Sequence, residues 1–296
     1  MRIAQRAWVA TLLLLLAGCS AMQLTYNQAD TLIAWRADRY FDLDAQQKHD
    51  FNRRLDRLLA WHRREQLPDY AHFVHSAVER ARHGLARADI AWFIDGFRQR
   101  YRTIVSRGIN DAAEWLATLG PDQLVALQKQ WSKDNHRFAD ERDLDFGTDR
   151  QKRARLKRTL NQITDWTGPL ARAQEQRIEQ LLDAVPLIDH LRHRDRQRRQ
   201  MEFLELLKLR AHRQEFQNRL LDWLLDWERG RAPDYERLSA EVSGKRIEFY
   251  LAVEKILTPA QRDRAVKRLH GFADDFKTLS ERPAAAAAIA TMAMLP

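Results

Sequence analysis

The chain has 296 residues, with 50 Lys and Arg against 41 Asp and Glu, and carries a formal net charge of +9. A single cysteine excludes an intramolecular disulfide and any cysteine metal cluster. Ten glycines and eight prolines are few for this length, and no run of alternating β-branched residues occurs, so a sheet is not expected.

In chain order, the first element is short and apolar. Arg2 and Arg6 precede an apolar stretch over 7–16, too short to span a bilayer, which reads as a cleavable export signal. The tetrad Leu16-Ala17-Gly18-Cys19 that follows resembles the lipobox of bacterial lipoproteins. That resemblance implies cleavage after residue 18, lipidation of Cys19 with palmitate-type chains, and anchoring to a membrane. Each buried methylene of an acyl chain contributes about 0.8 kcal/mol, so two or more chains hold a protein on a bilayer. Ser20 stands where an Asp would resemble an inner-membrane retention signal, so the expectation is the outer membrane, periplasmic face. A basic chain of this kind otherwise raises nucleic acid as a partner. Export makes that partner unexpected and leaves envelope proteins or an anionic envelope surface.

From residue 31 onward apolar residues recur every three or four places. Phe51, Leu55, Leu58, Leu59 and His62 form one stripe; Leu204, Leu207, Phe216, Leu220, Trp223, Leu224 and Trp227 form another. Breakers are expected at Pro68, Gly84, Gly108, Gly120-Pro121, Gly147, Gly168-Pro169, Pro186, 230–233 and 257–259, which predicts an all-α bundle of about ten helices. The stretch 186–229 is long enough to be one extended or bent helix. The expected organisation is a signal over 1–18, a lipidated linker over 19–30, helical halves over 31–145 and 146–282, and an Ala-rich, disordered tail over 283–296.

The two halves rest on a repeat. Residues 52–70 read NRRLDRLLAWHRREQLPDY and residues 218–235 read NRLLDWLLDWERGRAPDY. Chance likeness of leucine-rich helices is one explanation and an old duplication the other. Pro68 and Pro233 suit a first helical position, with Asp69 and Asp234 beside the positive end of the helix dipole.

Candidate chemistry is sparse. His72, His75 and Glu79 share a helix face, and His190 and His193 repeat the spacing, but zinc takes three or four converging ligands and no His-Glu-x-x-His pattern occurs. No nucleophile elbow, phosphate loop or dinucleotide fingerprint is present, so no catalytic residue, cofactor or metal is assigned. Asp274-Asp275 and Asp143 with Asp145 read as solvated carboxylates. Arg192, Arg194, Arg196, Arg198 and Arg199 crowd one segment; they are either a solvated helix surface or a contact for phosphate or carboxylate groups. Most tryptophans fall on the apolar stripes, where core packing is the expected role.

Two further resemblances bear on function. The segments NQADTLIAW (27–35), YFDLDAQQ (40–47) and WHRREQLPDY (61–70), with the lipobox, resemble an uncharacterised family of proteobacterial outer-membrane lipoproteins, known only as a domain of unknown function. The resemblance implies location and helical content and no activity. Leu257-Thr258-Pro259-Ala260-Gln261 resembles the Leu-Thr-x-x-Gln motif of Spy- and CpxP-type periplasmic proteins, which implies chaperone or signalling-inhibitor behaviour. Looser copies stand at 43–47, 119–123 and 170–174. The same letters also spell a helix start, with Thr258 as cap, Pro259 first and Gln261 closing a capping box. The expected role is therefore a non-enzymatic helical binding or chaperone-like module for envelope proteins. The alternative is an adaptor touching lipopolysaccharide, peptidoglycan or an assembly machine.

Overall fold

The computed structural model describes residues 21–82 and 84–281, and every regular element among them is helical. The signal, Cys19 and the Ala-rich tail lie outside the described residues. Helix α1 (Ala21–Asn27) leads into α2 (Ala29–Phe41), and α3 (Ala45–Trp61) passes through a π-helical turn (His62–Gln66) into α4 (Leu67–Arg82). Then come α5 (Arg87–Leu116), α6 (Pro121–Asp140), α7 (Thr148–Thr167), α8 (Arg172–Asp183) and α9 (Asp189–Lys208). A 3-10 turn (Leu209–Ala211) precedes α10 (Arg213–Leu225), and α11 (Pro233–Ile256) and α12 (Pro259–Glu281) complete the described residues.

Most expected breaks fall where helices end. Gly120, Gly147 and Ala232 stand extended just before helix starts, and Gly168 ends α7 at φ 81, in the left-handed region that favours glycine. Two do not break anything. Proline lacks an N–H, and its ring collides with the carbonyl one turn back. At Pro68 the widened π turn just before it absorbs both defects: the Leu67 N–H donates to the His62 carbonyl, five residues back. Pro68 and Asp69 therefore sit inside a continuous helix rather than at its start, and Asp69 pairs with Arg100 at 2.9 Å. Gly108 lies within α5, where a Cβ would stand 3.6 Å from Leu58, so its weak propensity yields to packing against α3.

Three larger expectations are corrected. Residues 21–30 are not a linker: they form α1 and the start of α2, and Gln23 is buried with its amide donating to Asp275 at 2.8 Å. The stretch 186–229 is not one helix. It folds back at 209–212 without proline or glycine, because Leu207 and Phe216, on opposite sides of the turn, enter the same core. Nor do the halves meeting at 146 own separate cores. One cluster joins Leu43, Ile109, Leu116 and Leu127 to Phe203, Leu207, Phe216 and Leu220. A second lies among α7, α8 and α11 around Ile178, Val242 and Phe249. In the third, α12 runs antiparallel along α4, with Tyr70 against Phe276 at 5.7 Å and His75 against His270 at 6.0 Å.

The four Leu-x-x-x-Gln segments have a role beyond capping. Each does start a helix: the Thr258 N–H donates to Gln261 Oε1 at 2.9 Å, and the N–H groups of Asp44, Gly120 and Ala171 donate to Gln47, Gln123 and Gln174 at 3.2, 2.9 and 2.9 Å. The side chains then pair. Gln47 and Gln123 exchange amide hydrogen bonds of 2.9 and 2.6 Å, and Gln174 and Gln261 exchange bonds of 2.8 and 3.1 Å. Each amide also donates to the carbonyl just before its partner's leucine. Gln47 reaches Thr118 at 3.1 Å and Gln123 reaches Asp42 at 3.3 Å; Gln174 reaches Ile256 and Gln261 reaches Pro169, both at 2.8 Å. Two reciprocal locks thus tie α3 to α6 and α8 to α12.

These locks conflict with the repeat. The 52–70 and 218–235 likeness sets α3 in register with α10, yet α10 starts at Arg213 with no such glutamine. The copies also fold differently. The first carries one residue more between its Trp and Pro and takes it up as the π turn; the second leaves the helix at Leu225 and turns through Gly230 at φ 76.

Candidate interaction surface

Along α5 apolar residues recur at three or four places: Ile90, Ile94, Phe97, Tyr101, Val105, Ile109, Ala113 and Leu116. In the second half this row is covered. Ile109, Ala113 and Leu116 are buried, and the Tyr101 hydroxyl donates to the Leu224 carbonyl at 2.9 Å beside Trp227. In the first half the row runs on uncovered: Ile94 is 38% exposed, Phe97 64% and the neighbouring Phe93 40%. An apolar helix row open to water from Phe93 to Phe97 is the kind of patch that folded proteins reserve for partners.

The uncovered row lies beside a shallow groove between α4 and α5, lined by His72, Phe73, Ser76, Trp92, Gly96 and Arg100. Gly96 makes the groove floor possible, because a Cβ there would stand 2.2 Å from the Phe73 ring. That ring packs against Trp92 at 4.7 Å and Phe93 at 5.3 Å, and the Arg100 guanidinium covers it at 3.8 Å. Arg80 lies over Trp92 at 4.5 Å. The result is an aromatic surface with arginines at its rim, a composition enriched at interface hot spots. The WFIDGF run is its signal in the sequence: more large apolar residues on one short helix segment than the neighbouring helices cover.

The residues singled out from the sequence fare differently. Cys19 lies outside the described residues. His72, His75 and Glu79 are all exposed on α4 and do not converge: Glu79 pairs with Arg82 at 2.9 Å and His75 turns to His270. Among the described residues no three His, Cys, Asp or Glu side chains are placed to hold a metal ion. His190 meets Gln151 at 3.0 Å, while His193 stacks on Phe138 at 5.6 Å.

The arginine run is not a free anionic contact. Arg192 pairs with Asp189 at 3.0 Å, Arg196 donates to Asn135 at 2.8 Å, and Arg198 binds Asp195 at 2.7 Å and the Arg229 carbonyl at 3.1 Å. Arg199 donates to the Trp223 carbonyl at 2.9 Å with its plane over that indole. Only Arg194 of the five stays largely open, 3.6 Å from Asp234. The segment is exposed on one side alone, and its guanidinium groups tie α9 to α6 and to the α10–α11 connection. Asp275, read as solvated, is buried. Trp61 and Trp115 are buried as expected, but Trp35 is 59% exposed.

Burial also sets the protonation of an aromatic cluster at the π turn. His62 stacks on Tyr26 and meets Tyr70 edge-on at 5.2 Å, with the Tyr26 hydroxyl 2.9 Å from His62 Nδ1. Desolvation lowers the His62 pKa and raises Tyr26 and Tyr70 to about 12, so all three are held neutral. A histidine depressed on folding contributes stability above its unfolded pKa of about 6.5 and loses it as pH falls toward the folded value, since only the unfolded chain takes up the proton. The melting temperature should therefore drop between pH 7.5 and 5. The drop should be shallower in His62→Gln, with the remainder carried in part by His193, which burial depresses in the same sense.

No curated protein and no solved structure matches the chain. The family comparison does give a match, described as Family of unknown function (DUF6279), and it includes three of the four Leu-x-x-x-Gln segments and the exposed α5 row. Because that match runs over residues 39–236, more than half of its length, the chain belongs to the DUF6279 family of unknown function.

Proposed function

We propose that this protein is a non-enzymatic helical binding module for envelope proteins, chaperone-like in its breadth of clients. In this reading it is held by lipid on Cys19 at the periplasmic face of a bacterial outer membrane. The carrying observation is the α5 row, buried over its second half and open over Phe93, Ile94 and Phe97. A row that packs against α10 in one half offers the same chemistry to a partner's apolar helix or extended segment in the other. The arginine rim favours clients with acidic flanks, and Gly96 lets the protein's own Phe73 ring lie against α5 and form the groove's apolar floor.

Photo-crosslinkers at positions 93, 94 and 97, with position 125 on α6 as an exposed control, test this in living cells. Many products of different mass, confined to the α5 positions, are the expected result. One dominant product would instead make the protein an adaptor, and labelling no stronger than at 125 would remove α5 as the binding surface. A Phe93→Asp, Phe97→Asp double variant should reduce crosslinking from position 94 by roughly tenfold, since a single interface anchor is commonly worth 1.4 kcal/mol or more.

A further inference from the structure

A second apolar face, on α1 and α2, points in chemistry toward lipid. Leu24, Leu32 and Trp35 fall on one helix side with Gln28 and Arg39, and Leu24 is 60% exposed, Leu32 49% and Trp35 59%. The side away from this row is held by the fold, where Tyr40 hydrogen-bonds Asp134 on α6 and Gln23 reaches Asp275 on α12, and at the row's edge Asp38 pairs with Lys48 at 3.1 Å. The outward row is therefore fixed in place by the fold and not a frayed end.

Its composition is that of an interfacial helix. Aliphatic side chains and an indole share one face, and Arg36 and Arg39 flank them, with the Arg39 guanidinium 5.5 Å from the Trp35 ring. Trp prefers the boundary between headgroups and acyl chains, and long arginine stems reach from apolar surface to phosphate. The chain itself decides between lipid and protein as the occupant. Only Ser20 separates Cys19 from Ala21, the first residue of α1, and two residue steps of extended chain span about 7 Å. Acyl chains on Cys19 would enter the bilayer within about one headgroup's depth of α1.

We propose that the Leu24, Leu32 and Trp35 face of α1 and α2 lies on the bilayer surface, with Arg36 and Arg39 against anionic headgroups. The molecule would then be oriented on the membrane and not suspended from a flexible tether. This rests on the lipid-anchor reading of Cys19.

The test uses the full chain, whose lipidated Cys19 has no free thiol, so that Leu32→Cys, Trp35→Cys or Met201→Cys each introduces one. Each is labelled with an environment-sensitive dye and reconstituted into phosphatidylethanolamine and phosphatidylglycerol vesicles carrying a quencher within the acyl region. Blue-shifted emission and several-fold stronger quenching at 32 and 35 than at 201 are expected. Equal response at all three sites overturns the proposal, as does a dye at 32 or 35 already shielded before vesicles are added, which would mean a second copy covers the face. Mass measurement of the purified chain reads the anchor separately. If Cys19 carries no lipid, the anchor reading falls, and the same dyes on the Cys19→Ser chain added to those vesicles decide the face: insertion at 32 and 35 keeps it, and none overturns it.

Discussion

Phe216→Ala is expected to destabilise the protein by about 3–5 kcal/mol, a large share of the roughly 5–15 kcal/mol that holds a folded domain together. The ring is 1% exposed and sits in the cluster that joins Leu43, Ile109, Ala113 and Leu127 to Phe203, Leu207 and Leu220. No neighbour can collapse into the space without moving α5 or α9, so most of the cavity remains. Urea unfolding followed by helical circular dichroism should show one transition whose midpoint falls while its slope is kept. Halves that fold independently on either side of residue 146 would give two transitions, with the variant moving only one. The shared cluster and the packing of α12 on α4 both argue for a single transition.

The helices were legible because their signals are local. Apolar spacing, Gly-Pro starts and capping pairs act within one or two turns, so Pro121, Pro233 and Pro259 could be placed at helix starts without knowledge of the fold. What stayed hidden depends on distant neighbours. The turn at 209–212 has no breaker of its own; it exists because Leu207 and Phe216 are both worth more inside one core than on one straight helix. Pro68 misled because the compensating defect is a backbone register change that no side chain announces. The arginine run looked like a free surface because its partners, Asn135, Trp223 and the Arg229 carbonyl, come from other elements. The candidate surface is the reverse case. The WFIDGF run does not stand out from the other apolar stripes in the sequence, and only the arrangement of α4, α10 and α11 leaves Phe93 40% and Phe97 64% exposed among the described residues.

The glutamines separate a local role from a distant one in a single substitution. Gln47→Ala removes an acceptor for the Asp44 N–H and donors to Thr118 and Gln123 in a 9% exposed site, and should cost about 2–3 kcal/mol, as expected for stranding buried hydrogen-bonding groups. Gln123→Ala should cost somewhat less, because that side chain is more open. Since the two act as one unit, the double variant should lose less than the sum of the singles, with a coupling of about 1–2 kcal/mol. The sharper comparison is Gln47→Glu. A glutamate closes a capping box as well as a glutamine does and adds a favourable charge at the helix N-terminus. If Gln47 were only a cap, thermal denaturation at pH 7 would find the glutamate variant as stable as the parent or more so. In the lock, a carboxylate has no hydrogen to give. It would face the Thr118 carbonyl and the Gln123 oxygen, acceptor against acceptor, so Gln47→Glu should be at least as damaging as Gln47→Ala. Lowering the pH to protonate the carboxyl should restore part of the loss in this variant alone. The same substitution at Gln261, which faces the Pro169 carbonyl and Gln174, should behave alike, tying the end of the chain to α8 by the same chemistry that ties α3 to α6.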